Sequence, residues 1–430
     1  MQPRNWFTRK AFIRVWSFGV LSLMAVPAFS QKAGVGLLAG AAKIDITPDK
    51  PVRMSGYAGR KDPSTGVHDN LYARAVAFES NRKRLVLVSA DLIGFYGGSF
   101  DYCQKELLSA FDLEPSELFL AGIHTHSAPT LSVDKEKGYP NNLEYTEKLK
   151  SKLVRVVREA LDNLQPVQIG VGTGSSPVGS NRREMQQDGS IRLGRNPYGP
   201  TDKEVLVMKI AKTDGLPLGV VFDYATHATS LGPRNLMVSG DVLGLSEQFV
   251  ENIIKGAVCP AFAGASGNID PWFRVLPGFN TEPGWIPEPV LLGTLLGEEV
   301  VHVFRRIDGL KTEGDIKTLA RTIDCPRKKS EADTTEESEN RPVHITAARI
   351  GDVAFVGFSV EMLTEIGMAV KAGSPYTHTF ILTHCNGASG YLVPTHLYKE
   401  GGYEVQSTPF APHTDEQVTK TALRMLYDLQ

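Results

Sequence analysis

The feature that most constrains the fold of this chain is the way two periodicities interleave along it. Residues 41–47 alternate apolar and polar side chains and end in a Pro-Asp turn, while 71–79 and 84–90 are β-rich and joined by the polar Asn81-Arg-Lys of a hairpin. Residues 100–112 and 143–164 carry apolar residues at helical spacing, the second with Leu149, Leu153, Val156 and Val157 on one side. Strand-like stretches return at 167–171, 204–211 and 218–224, helix-like ones at 243–254 and 290–305. Strands at 344–350, 353–358 and 380–384 and a terminal helix over 416–429 complete the series. There is no regular βαβ repetition, and several neighbouring strands read as antiparallel. The pattern therefore predicts an α/β fold of mixed sheets flanked by helices, not a plain doubly wound sheet. Two stretches stand apart: 328–339 is polar and charged, a surface loop within the domain, and 271–289 is rich in Pro, Gly and Trp, a long loop of the sort that often lines sites.

The first thirty residues follow different rules. Arg4, Arg9, Lys10 and Arg14 precede an apolar run over 15–26, and Ala28-Phe-Ser30 supplies small residues for a cleavage site. The run is short for a membrane anchor. A cleaved signal peptide over 1–30 is expected, giving a secreted or periplasmic protein with one domain over 31–430. The formal charge of −2, with 46 basic and 48 acidic residues and no basic block, argues against nucleic acid as a partner. Export permits disulfides among Cys103, Cys259, Cys325 and Cys385, whose spacing excludes a CxxC metal knuckle. Three pairings are possible, and buried free thiols are the alternative.

The chemistry concentrates in three places. A buried strand over 117–122 runs into Ile-His-Thr-His-Ser, residues 123–127. In an extended segment His124 and His126 share a face, where both bind one metal or one binds while the other handles protons. The alternative is two histidines hydrogen-bonded in a polar loop. A second strand delivers His227 into small and hydroxylated residues, followed by Asp241 at a helix start. Asp241 either caps that helix or orients a metal-bound histidine. Third, Gly264-Ala-Ser-Gly-Asn-Ile-Asp-Pro271 is a glycine-rich turn that presents Ser266, Asn268 and Asp270. HExxH, Walker A and GxSxG signatures are all missing.

Taken together, the chain resembles the N-terminal catalytic domain of the neutral, non-lysosomal ceramidases, zinc amidases that cleave the N-acyl bond of ceramide. The similarity runs through residues 40–47, Met54-Ser-Gly-Tyr57, Gly66-Val-His68, Ala73-Arg-Ala75 and Val88-Ser-Ala-Asp91. It continues through His124-Thr-His-Ser127, Asn181-Arg182, Ala225-Thr-His227 and Ser239-Gly-Asp241. The resemblance implies a zinc site of His124, His227, Glu361 and Tyr391, with His126, Arg182 and Tyr403 facing the substrate. Two features depart from the family. Asp270, before Pro271, stands where the family has its proposed nucleophilic serine, and the C-terminal immunoglobulin-like domain of the family is not expected here.

The expected activity is therefore direct zinc-assisted hydrolysis of an amide by activated water. Asp270 would accept a proton or add a ligand, His126 and Tyr403 would stabilise the oxyanion, and Arg182 would hold an anionic or carbonyl group. The substrate is expected to be a small or lipid-like molecule. The rival readings are a zinc hydrolase acting on an ester or glycoconjugate and a non-catalytic binding protein on the same fold.

Overall fold

The computed structural model describes residues 36–272, 288–328 and 340–430. The leader read over 1–30, and most of the loops read at 271–289 and 328–339, lie outside them. The largest sheet has eight strands, in the spatial order Ala261–Ala263, Pro217–Tyr224, Glu204–Lys212, Gln165–Ser175, Leu38–Asp45, Tyr72–Ser80, Lys83–Ala90 and Leu118–Gly122. Its interior pairings are antiparallel, but at each edge the outermost pair is parallel. A second sheet orders Ile316–Cys325, Arg341–Ile350, Val353–Phe358 and His378–Leu382, again with only the last pair parallel. The mixed-sheet expectation holds. The predicted hairpin is closed by Asn81 and Arg82 at φ 51° and 62°, the left-handed geometry that a tight two-residue turn requires.

Pleating explains the layers. Along Tyr72–Ser80, Ala73, Ala75 and Ala77 face one core while Val76 and Phe78 face another. The alanine side packs under the helix Pro140–Asp162, which buries Leu149, Leu153, Val156 and Val157 as its spacing predicted. Each such side chain stabilises the fold by about 1.5–3 kcal/mol. Gly40 lets that helix seat closely, since a Cβ there would lie 2.0 Å from the Ala160 carbonyl oxygen. The opposite side packs against the second sheet through Phe119, Phe355 and Phe380. The helices Asp241–Ile253 and Glu288–Arg306 cover the other half of the large sheet, and Thr364–Gly373 and Thr414–Asp428 cover the far side of the second sheet. The order of layers is helix, sheet, sheet, helix.

Three elements carry weak sequence signals. Ile316–Cys325 is an edge strand whose middle is largely solvated, and the hairpin Gly179–Met185/Ile191–Asn196 is polar along much of its length. Helix Thr364–Gly373 is only 10 residues long. All four cysteines are buried free thiols, so the disulfide alternative falls away. Among the described residues no helix is long and apolar enough to cross a membrane.

Two buried polar groups tie the layers together. Asp223 of the large sheet accepts the Ile381 N–H of the second sheet at 2.8 Å; burial pushes its carboxyl up to about 7, against the pull of Lys371. Arg74 is wholly buried and bonds Glu247 at 2.6 Å, Glu251 at 2.9 Å and Asp91 at 3.2 Å, fastening the helix Asp241–Ile253 to the large sheet.

Candidate metal centre

The predicted residues meet where strands of both sheets end. Large-sheet strands Leu118–Gly122 and Pro217–Tyr224 lead into His124 and His227; second-sheet strands Val353–Phe358 and His378–Leu382 lead toward Glu361 and Tyr391. Short bridges fix this meeting: Thr125 pairs with Ala228, Glu361 with Tyr391, and Ala121 with Cys385 across the two sheets. Asn386 reinforces the last contact. Its side chain accepts the Leu120 N–H at 2.9 Å and donates to the Leu118 carbonyl at 2.7 Å.

His124 differs from the extended geometry expected of it. Its φ is 62°, in the left-handed region that non-glycine residues seldom enter. The chain turns after Gly122, and this turn, not the alternation of a strand, brings the His124 and His126 Nε2 atoms to 3.4 Å. Three further contacts set the tautomers. His124 Nδ1 bonds the Ile93 carbonyl at 2.9 Å, and His227 Nδ1 bonds the carbonyls of Ser266 and Ile269 at 2.8 and 3.0 Å. A ring nitrogen facing a carbonyl must carry the proton, so both Nε2 atoms are unprotonated acceptors, that of His227 also within 3.2 Å of Arg182 Nη1.

Those lone pairs converge on one carboxylate. Glu361 Oε1 lies 2.9 Å from His227 Nε2 and 3.3 Å from His124 Nε2, yet as a buried acceptor it has no hydrogen-bond donor among the described residues. Burial raises the Glu361 carboxyl, and positive charge on the two imidazoles beside it would pull it well below the ordinary range, so the carboxylate calls for a cation at this point. Burial lowers His227, and Arg182 lowers it further, which favours the neutral ligand form. The Tyr391 phenol completes the group; burial and the Glu361 carboxylate push it up in the absence of a cation. Three acceptors facing one another without protons between them are badly arranged for one another and well arranged for a cation. Two imidazoles, a carboxylate and a phenol are a chemically sensible set for zinc.

Two groupings of donor atoms within 4.8 Å share His124: one with His126 and His227, the other with Glu361 and His384. His384 escaped the sequence reading. Its ring stacks on His124 with centroids 3.7 Å apart, and its Nε2 is buried without a hydrogen-bond partner. The signal was available, because His384, like His227, lies just beyond a buried strand.

Arg182 is the hub behind the centre. Its Nε donates to Glu404 at 2.8 Å, and Nη1 meets Asp270 at 3.0 Å and His227 Nε2 at 3.2 Å. Nη2 donates to the Gly267 carbonyl at 2.7 Å and to the Tyr391 hydroxyl at 3.1 Å. Since a guanidinium has five N–H donors, this set commits the group to the protein. Glu404 was not read from the sequence either. Asp270 is buried beside Arg182 and does not line the cavity described next. Asp241 likewise lies apart from His227. Its carboxylate gathers the Ser230, Leu231 and Val242 N–H groups and so shapes the loop beyond that histidine.

A cavity of about 560 Å³ opens onto the centre, with His124, His126, Glu361, Tyr391 and Tyr403 on its walls. The backbone braces His126 closely. Gly56, at φ 99°, lies where a Cβ would come within 2.4 Å of the imidazole, and Arg60 donates to the His126 carbonyl. Burial pushes the His126 imidazole well below its ordinary pKa.

Comparison with known proteins agrees with this architecture. Residues 37–266 match the family model of the neutral/alkaline non-lysosomal ceramidase N-terminal domain, more than half of the chain, which therefore belongs to that family. A neutral ceramidase of Oryza sativa subsp. japonica is 27% identical over 270 residues, 59% of this chain and 34% of that protein. One from Pseudomonas aeruginosa is 25% identical over 292 residues, 63% of this chain and 42% of its own length. The match thus spans about a third to two fifths of these relatives. The crystal structure of neutral ceramidase from Pseudomonas aeruginosa superposes with a TM-score of 0.76 at 19% identity, covering 92% of this chain and 74% of that one. It shares the fold.

Proposed function

We propose that this chain is an exported zinc-dependent hydrolase that cleaves an N-acyl amide bond. The observation that carries the reading is Glu361 Oε1, buried without a hydrogen-bond donor between two Nε2 lone pairs. His124, His227, Glu361 and Tyr391 would hold the metal. When bound, zinc supplies a Lewis acid that polarises a carbonyl and lowers the pKa of water from 15.7 to about 7.

The chain's own groups do the rest. With the His124 Nε2 lone pair given to the metal, the His126 Nε2 only 3.4 Å away would be free to turn an N–H toward the bound substrate. That N–H and the hydroxyl of Tyr403, which also lines the cavity, would stabilise negative charge growing on the amide oxygen. Arg182 holds Tyr391 and Asp270 in place instead of binding substrate, because its donors are already engaged. Asp270 acts through Arg182. A carboxylate in this place of the family's serine pairs with the guanidinium, and attack by water needs no covalent intermediate.

The test is zinc content by elemental analysis together with release of fatty acid from N-acyl amides. About one zinc per chain and measurable release are expected, with both largely lost in His227→Ala. Full zinc occupancy in that variant would sink the ligand assignment, and zinc without turnover of any amide would sink the amidase reading.

A further inference from the structure

The walls above the metal centre carry a charge that a neutral lipid would not call for. Arg53, Arg60, Lys61 and Lys137 all line the cavity, where Glu361 at the floor is the one acidic lining residue among the described residues. Close by, Lys50 and Lys148 pair with Glu144, and Lys148 also with Asp49. Among the described residues none of the four cavity cations has such an ion pair. Two of them are held in fixed places by aromatic rings. The Arg53 guanidinium lies 4.9 Å from the Tyr139 ring centroid and the Arg60 guanidinium 5.0 Å from that of Tyr57. Arg60 is anchored further by the carbonyls of Ser55, His126 and Asn235, and its Nε is buried without an acceptor. A cleft of one sign with low-dielectric walls concentrates counter-ions, and four uncompensated cations make that sign positive.

We propose that the substrate is an N-acyl amide bearing an anionic group, a carboxylate, sulfonate or phosphate, which the four cations hold at the mouth while the amide reaches the floor. This deepens the amidase reading and rests on it. The cavity volume of about 560 Å³ lies within the range of small-molecule sites. The anion is placed on the side of the cavity formed by residues 53–61 and 137–139, and the acyl carbonyl at His126 and Tyr403.

The experiment uses substrates with one acyl chain and different heads: N-lauroyl glycine and N-lauroyl taurine as anions, N-lauroyl ethanolamine and a short-chain ceramide as neutral amides. The wild type is compared with the double variant Lys61→Glu/Lys137→Glu, both sites being exposed. At low ionic strength the ratio of kcat/KM, anionic over neutral, is expected to be about tenfold or more in the wild type. It should shrink as salt screens the charges and fall about tenfold in the double variant, as two reversed surface charges imply. The glycine and taurine arms show which anion is preferred. A wild-type ratio near one, or one unmoved by charge reversal, overturns the proposal.

Binding to the chelator-stripped chain, measured by calorimetry, separates the two readings. Salt-sensitive binding of N-lauroyl glycine but not of N-lauroyl ethanolamine, without turnover of any amide, keeps the anion site and removes the amidase. Equal turnover of both heads does the reverse.

Discussion

Two of the buried arginines, Arg74 and Arg182, are each held by carboxylates in the protein interior. Arg74 bonds Asp91, Glu247 and Glu251; Arg182 bonds Asp270 and Glu404. The difference is what else they touch. The polar contacts of Arg74 end on its carboxylates, and its cluster joins a helix to a sheet. Arg182 also reaches His227, Tyr391 and the Gly267 carbonyl, and it stands behind a cavity wall. Burial lowers both guanidinium pKa values, and in each case neighbouring acidic groups more than restore them. A buried ionic network is therefore no signature of function. The signature is a network that shares atoms with groups facing open space.

The same substitution in both hubs should separate them. Arg74→Met leaves Asp91 and Glu247 buried without their cation and should cost about 3–5 kcal/mol in denaturant unfolding, while the folded fraction still takes up zinc. Arg182→Met should instead lower turnover about 10²-fold, by releasing Tyr391 and Asp270 from their positions. A loss of stability alone at Arg182, or of activity alone at Arg74, would erase the distinction.

Asp223 offers a case between the two, a buried acid whose nearby Lys371 bonds Asp202 and Glu204 instead. Its folded pKa of about 7 exceeds the ordinary 3.8, so the folded state binds its proton more tightly. Stability should therefore fall as pH rises from 5 to 7, by roughly 2 kcal/mol. In Asp223→Asn that slope should flatten; an unchanged slope would assign it to other groups.

The smallest effect is expected at Asp270. If it acts through Arg182, Asp270→Asn should slow turnover about tenfold with the pH profile preserved, a smaller loss than removing a proton-transfer group. Loss of the acidic limb of the profile, with a fall of 10²-fold or more, would make it the proton acceptor instead.

Much of this site was legible in the residues, for reasons that differ from one to the next. His124, His126 and His227 follow apolar runs that can only be buried strands, so their imidazoles had to emerge at strand ends. Glu361 and Tyr391 have no such local signal and came only through family resemblance, since a strand pair of two residues leaves no period to read. His384 is harder to single out, because a lone histidine beside a cysteine has many ordinary uses. Arg60 and Tyr57 lie in irregular chain where position follows from long-range contacts, such as the reach of Arg60 to Asn235. The same holds for the fold. The interleaved periods predicted mixed sheets and their helices, whereas the strand Gly179–Met185 buries polar residues in succession and Ile191–Asn196 and the edge strand Ile316–Cys325 bury too few positions to show alternation.

Because His124 and His227 follow strands of one sheet, and Glu361 and Tyr391 follow strands of the other, an ion held by all four would staple the two layers together. Its stabilising effect would follow mass action and grow with the logarithm of free metal concentration. The chain would then be sturdiest where zinc is plentiful. A chelator would abolish catalysis and also loosen the seam between the sheets, making metal supply a determinant of the protein's lifetime.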